Sequence, residues 1–544
     1  MPSLFQPTAV VLALAAAIAL VTWPQPAYIA SMIGGNIDAL FGAWRLAWIA
    51  HSLPSAPFTI FDAPIFFPSK NTFAFSDSIL LTGLAAAPVA WMGGSPTTAY
   101  NVALYGSLLG SAAAAALLAR ELTGRWDAGV VAGLVFAVNP HRMEHFERIE
   151  LLTAPAAALC LLFWTRATRR ESPRWAAAAV AMIAVQWYSG MHIGLFLGLA
   201  APTLLLDLLW VRPSARRKLL VAVALAGVIC AVAILPSARH YLASHVEVGE
   251  RSLEELRRYS AVPGDFLKAH PTNRLYGNTL AAGGLPERHL FPGIAALLLA
   301  GFGVVCSSRR QRVLYGSFGV VVFFFCLGAT TPLFIELREW LVPLRAIRAP
   351  ARAANLVMLA MSVFVAIGAA ALFRRPRRVI SAALAIVVTG TVVAEYRMRP
   401  FLWGVADPAQ HASDAARLGL GPQAVLLELP APDPGRLDVN FDAHYMVDRT
   451  STWPRLLNGY SGNYPSHYIR MLEDVRQFPD GSSIAAIVLH GATHIALHQK
   501  WYDQRYESLL VAVRARPELE LVGTYDEGGA QVAVFKVLGA MLER

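Results

Sequence analysis

The chain has 544 residues, 56% of them hydrophobic and only 15% charged, with a mean hydropathy of +0.47. That balance excludes an ordinary soluble globular protein. The formal charge of +10 does not point to nucleic acid, since no basic stripe with interleaved aromatics accompanies it and much of the excess sits in short loops between apolar segments.

Apolar runs of about 20 residues cross a bilayer core as helices. The first, residues 8–24, lacks a charged leader and reads as an uncleaved span leading outward. The loop 25–97 follows and contains the apolar piece Ile79–Met92, short and interrupted by Pro88, which is assigned to the loop as a re-entrant or interfacial helix. Counting it as a span would invert every later basic loop. Further spans are expected near 98–119, 127–140, 151–165, 175–190, 191–210, 218–236, 290–306, 313–330, 354–373 and 378–395.

Basic clusters end every second span: Arg120/Arg125, Arg166/Arg169/Arg170/Arg174, Arg212/Arg216/Arg217/Lys218, Arg309/Arg310/Arg312 and Arg374/Arg375/Arg377/Arg378. Short basic loops stay cytoplasmic. The expectation is therefore an α-helical polytopic membrane protein of about eleven spans, N-terminus in and C-terminus out. Its transmembrane domain, 1–395, sends four loops outward: 25–97, 141–150, 237–290 and the arginine-rich 331–352. Beyond Tyr396 the composition becomes that of a soluble module, 396–544, expected as a small extracytoplasmic α/β or α+β domain. Its predicted strands are Ala424–Leu429, Ile484–Leu489, Thr493–Leu497 and Val532–Val537, with a helix near Tyr506–Arg516. Cys160, Cys230, Cys306 and Cys326 lie in or beside apolar spans, so no disulfide framework is implied.

The outward loops carry the candidate chemistry. Asp38, at the exit of the first span, is placed to act as a general base or to orient an acceptor. Trp44, Trp48, His51, Phe58, Phe61, Phe66 and Phe67 follow as an aromatic surface expected at headgroup level. In the second loop, Arg142, His145 and Arg148 suit a phosphate group, because guanidinium forks match phosphate oxygens. On a continuous helix His141, His145 and Arg148 share a face. Spacing fixes no third ligand for a metal, and none is assigned. Arg345, Arg348 and Arg352 run against the positive-inside trend and call for anionic company: lipid headgroups, Glu336 and Glu339, or a phosphorylated substrate. Asp207 and Glu395 are the carboxylates closest to being embedded, both near span ends.

The segments Asp38…Trp44…Trp48…His51, Phe61-Asp62-Ala63…Pro68, Ser76-Asp77-Ser78, Asn139-Pro140-His141-Arg142…His145, Leu344-Arg345…Arg348-Ala349-Pro350-Ala351-Arg352 and Asn458-Gly459-Tyr460-Ser461-Gly462…Pro465 run along nearly the whole chain. In this order and topology the chain resembles the GT-C superfamily of integral-membrane glycosyltransferases, and more closely an uncharacterised bacterial group of that type. The resemblance implies a multi-pass protein of the bacterial cytoplasmic membrane. A polyprenyl-phosphate-linked sugar would be its donor, and a glycan, lipid or protein outside the cytoplasm its acceptor. Asp38 would be the catalytic base; Arg142, His145, Arg148, Arg345, Arg348 and Arg352 would bind donor phosphate; Trp44, His51, Asp77, Glu150 and Tyr460 would line the acceptor cavity. The chain departs from the family in its first loop, where Asp38 follows Ile37 instead of a second acid, and in its second loop, which lacks the usual acidic pair; no cofactor is carried over. The alternatives are a transporter or lipid-handling protein, disfavoured because the charges sit in loops and not mid-span, and a surface-polysaccharide polymerase or ligase.

Overall fold

The computed structural model describes residues 7–249, 252–280, 284–345, 347–374, 377–399, 401–435, 437 and 441–538; Arg375 of the last basic cluster and Ala346 of the arginine-rich loop lie outside them. The apolar runs fold as helices: α1 Pro7–Val21, α2 Ile37–Ser55, α3 Leu80–Trp91, α4 Pro96–Thr123, α5 Trp126–Ala137, α6 Pro155–Arg169 and α7 Pro173–Ser189. Then come α8 Met191–Ala200, α9 Pro213–Val248, α10 Ile294–Cys306, α11 Arg309–Leu327, α12 Ala354–Leu372 and α13 Arg378–Tyr396.

Among the described residues seven helical stretches are long and apolar enough to cross a membrane: 96–123, 149–169, 191–210, 213–244, 309–330, 350–372 and 379–396. The other four expected spans are helices too, but α1, α5, α7 and α10 hold only 15, 12, 17 and 13 residues. The short piece with Pro88 is α3, 12 residues long, which doubles back on α2 and bonds Trp91 Nε1 to the Ala50 carbonyl at 2.9 Å. The expected end of a span at Pro236 is not observed. Helix α9 runs through Pro236 for 36 residues, so the loop expected from 237 begins helical.

Close helix crossings hold the bundle. Helices α10 and α12 meet at glycines: a Cβ on Gly303 would stand 1.8 Å from the Phe364 carbonyl oxygen, and one on Gly368 2.2 Å from that of Leu299. Basic groups at one end of the bundle are tied to carboxylates, Arg166 to Glu121 at 2.8 Å and Arg310 to Asp207 at 2.6 Å. Glu395 accepts from the Tyr276 hydroxyl at 2.6 Å at the opposite end.

The C-terminal part is a five-stranded mixed sheet, order β4-β3-β5-β7-β6, with β3 Val425–Leu429, β4 Arg455–Leu456, β5 His494–His498, β6 Leu519–Glu527 and β7 Ala530–Val537. Strand β3 is parallel to β4 and β5, and β7 antiparallel to β5 and β6. A second, two-stranded sheet pairs β1 Met32–Gly34 with β2 Leu402–Gly404, stitching the loop after α1 to this domain. The strand expected at Ile484–Leu489 is instead a helix, Gly481–Leu489. The Asp480 side chain accepts from Ser483 N at 2.7 Å as its N-cap, and Ile484 and Ile487 are buried at helical spacing.

The domain also covers α2. Trp44, Trp48 and His51 pack on Trp453, the His51 ring stacked at 4.7 Å. The expected headgroup-level aromatic surface is therefore mostly interior. Trp44, Phe61 and Phe66 are buried, Trp48 and Phe67 half-buried, and His51 and Phe58 exposed.

Candidate active site

Helix α2 begins where Gly35, at φ +92°, turns the chain and the Asn36 side chain accepts from Asp38 N at 2.8 Å. This cap leaves Asp38 in the first helical turn, where the helix dipole favours negative charge. Asp38 Oδ2 receives Arg148 Nε at 2.9 Å, and Asp38 Oδ1 receives the Tyr460 hydroxyl at 2.6 Å from the C-terminal domain. Arg148 also donates to Glu287 at 3.0 Å, and Glu287 is shared with Arg352 at 3.3 Å. One line of polar contacts, Tyr460–Asp38–Arg148–Glu287–Arg352, thus joins four loop segments of the helical part to the C-terminal domain.

Burial acts to raise the Asp38 pKa, but Arg148, the Tyr460 hydroxyl and Arg352 outweigh it and hold the carboxyl below its ordinary value. Asp38 is ionised at neutral pH. Burial and the Asp38 charge push the Tyr460 hydroxyl far up, so it remains a donor.

A second line lies beside the first. Arg45, buried in α2, donates to Glu150 Oε2 at 2.8 Å and to the Asp77 carbonyl at 3.1 Å, and lies over the Phe41 ring. His192 Nδ1 sits 2.5 Å from the Asp77 carboxylate. Burial works to raise the Asp77 pKa, and His192, Arg352 and Arg45 together hold it down.

Between these lines opens a cavity of about 730 Å³. Asp38, Asp77, Glu150, Arg148, Arg345, Arg348 and Arg352 supply its charged walls, and Tyr460 to Asn463 one rim. Trp187, Met191, Leu195, Tyr241, Leu242 and Ile347 supply an apolar side. The arrangement can hold an anion and an apolar tail at once, with an ionised carboxylate within the same space.

Of the residues expected at the site, Asp38, Asp77, Arg148, Glu150, Arg345, Arg348, Arg352 and Tyr460 line the cavity. Arg142 and His145 do not. The second loop is helical over Pro140–Glu144, leaves the helix at His145 and becomes helical again only at Ile149, so the shared face with Arg148 never forms. Arg142 is buried, donates to the carbonyls of Ala137 (3.0 Å) and Leu152, and lies over Phe136. It closes the loop on itself. His145 is buried against His141, ring centroids 5.0 Å apart. Trp44 and His51 also leave the main cavity: Trp44 is core, and His51 borders a separate cleft of about 280 Å³ beside Trp453.

The anionic company of Arg345 and Arg348 is partly internal. Arg348 pairs with Glu255 at 2.8 Å and contacts the Tyr259 hydroxyl at 3.2 Å; Arg345 pairs with Glu339 at 3.8 Å. Sequence reasoning missed Arg45, His192 and Glu287. An arginine inside the apolar stretch of α2 and a histidine opening an apolar span were visible signals for the first two; nothing local marks Glu287.

Among solved structures, the chain superposes on the arabinofuranosyltransferase AftD from Mycobacteria with a TM-score of 0.62 at 13% identity, over 98% of its own length. The fold is that of the GT-C membrane glycosyltransferases. The chain spans 40% of the AftD chain. Two other GT-C structures align with it over 97% of its length. One is the oligosaccharyltransferase AglB from Archaeoglobus fulgidus, in complex with an inhibitory peptide and a dolichol-phosphate (TM-score 0.48, 11% identity, 74% of that chain). The other is ArnT from Cupriavidus metallidurans, bound to undecaprenyl phosphate (TM-score 0.49, 14% identity, 98% of that chain). No family model and no curated protein matches the sequence.

Proposed function

We propose that the protein is a membrane glycosyltransferase that moves a sugar from a polyprenyl-phosphate donor to an acceptor outside the cytoplasm. The observation carrying this reading is the single cavity in which ionised Asp38 shares space with Arg345, Arg348 and Arg352 and with an apolar side. The prenyl chain lies along Trp187, Leu195 and Tyr241, and the phosphate against the arginines. As the sugar–phosphate bond breaks, charge grows on the departing phosphate, and fixed guanidinium groups stabilise it most at that moment. Asp38 accepts the proton of the acceptor hydroxyl and aligns it for attack on the anomeric carbon from the opposite face. Arg148 orients the carboxylate, and the Tyr460 hydroxyl holds the position an acceptor hydroxyl takes over.

The test is lipid extraction and turnover on the purified full chain. An isoprenoid phosphate co-purifies with the parent protein, is depleted in Arg345→Ala/Arg348→Ala, and is retained in Asp38→Asn. That last variant loses sugar transfer by about two orders of magnitude, the usual contribution of a general base. Undiminished transfer by Asp38→Asn would remove Asp38 from the chemistry, and absence of any isoprenoid phosphate would remove the donor class.

A further inference from the structure

Glu144, His270 and His289 bring three ligand-bearing side chains together outside the cavity, on the far side of Arg148 and Glu287 from Asp38. Glu144 belongs to the second outward loop and the two histidines to the loop after α9. Glu144 Oε1 lies 2.8 Å from His289 Nδ1 and 3.5 Å from His270 Nε2, and suitable donor atoms of all three fall within 4.8 Å of one another. In a tetrahedral zinc site with bonds near 2.0–2.1 Å, ligand atoms stand about 3.3 Å apart. The two measured separations straddle that value.

A second observation is independent of these distances. The Glu144 side chain is 1% exposed, and its other oxygen, Oε2, has no hydrogen-bond partner among the described residues. A buried carboxylate oxygen left without a donor calls for an electropositive neighbour. A hydrogen bond from His289 satisfies only Oε1. His270 is held in place from behind, its Nδ1 accepting from the Thr272 backbone N–H at 3.1 Å and lying 2.6 Å from Thr272 Oγ1.

We propose that Glu144, His270 and His289 bind one divalent transition-metal ion of the zinc class. Two imidazoles and a carboxylate suit zinc over calcium or magnesium, which prefer oxygen sets. The His270 side chain, 23% exposed, leaves an approach for a water as fourth ligand. The ion ties the second outward loop to the segment carrying Glu287, two residues before His289, and so braces the Arg148 and Arg352 contacts from outside the cavity.

The experiment uses the full chain in detergent, stripped with chelator and reloaded with Zn²⁺ or with Co²⁺ as a visible reporter. One equivalent of metal per chain remains after gel filtration, Co²⁺ gives the absorption of a tetrahedral site, and the apparent Tm rises on loading. His270→Ala, at the exposed edge of the cluster, keeps the parent's gel-filtration profile and weakens binding by at least about tenfold, a loss typical even of outer-shell partners; Glu144→Gln does the same. Retention below one equivalent, or equal binding by the parent and both variants, overturns the proposal. X-ray absorption of the zinc-loaded parent decides independently of any variant: imidazole scattering from two histidines supports the site, and its absence overturns it.

Discussion

Asp38 and Glu147 face each other across the start of α2 and ionise in opposite directions. Burial acts to protonate both. Asp38 has Arg148 at 2.9 Å and a hydroxyl donor, and these win. Glu147 reaches Arg148 only at 3.8 Å and Asn36 at 3.4 Å, while Asp38 and Glu150 add like charge, so its pKa is raised from 4.5 to about 7. A carboxyl with a raised folded pKa keeps a proton that the unfolded chain has released. Its stabilising share is whole below about pH 4.5 and is lost as pH rises toward 7, ~3 kcal/mol at the limit. Glu147→Gln is neutral throughout. The variant's apparent Tm therefore gains on the parent's between pH 5 and pH 8, and a difference that stays constant across that range would refute the assignment.

Among the elements, the α10–α12 crossing is the contact with least slack. A side chain at Gly303 has to push against the Phe364 backbone, whereas Gly301, two residues earlier, has nothing within 4 Å of where a Cβ would stand. Gly303→Ala is expected to cost about 1–3 kcal/mol by forcing the helices apart, seen as a lower apparent Tm in detergent. Gly301→Ala on the same helix should match or exceed the parent. This contrast is invisible in the sequence, where both glycines sit in one apolar run. Helix positions were legible because apolar length and basic punctuation are local signals, and each of the eleven expected spans overlaps a helix. Helix boundaries were less so. Pro236 reads as a stop, yet α9 continues through it, and 484–489 reads as a strand until the Asp480 cap is seen. In the second loop, helical spacing promised a face that five residues of helix cannot provide.

At the scale of the whole molecule, the loops that carry Asp38, Asp77, Arg148 and Arg345 to Arg352 and the C-terminal sheet domain converge on one cavity, and the paired Arg166, Arg212 and Arg310 gather at the opposite ends of the helices. If the basic end is cytoplasmic, cysteines introduced near His270 and Gly462 react with a membrane-impermeant thiol reagent in intact cells. Cysteines near Arg170, Arg217 and Arg310 react only after permeabilisation. Labelling of the Gly462 region from the cytoplasm alone would overturn both the orientation and the use of an outward acceptor. Sequence reasoning reached the loops but not their pairings. Arg45 meets Glu150 across 105 residues and Arg148 meets Glu287 across 139, separations at which no local pattern survives.

The hydrogen bond between Tyr460 and Asp38 spans 422 residues of chain. A ribosome adding about 5–20 residues per second needs roughly 20–80 s to make that interval. Throughout that time Asp38 has been made while its partner does not exist. The growing chain therefore presents a half-built cavity, without the rim that Tyr460 to Asn463 supply. Under the proposed function, competence arrives in one step, when the last domain docks on α2, so a truncation anywhere before residue 460 yields a chain that transfers no sugar.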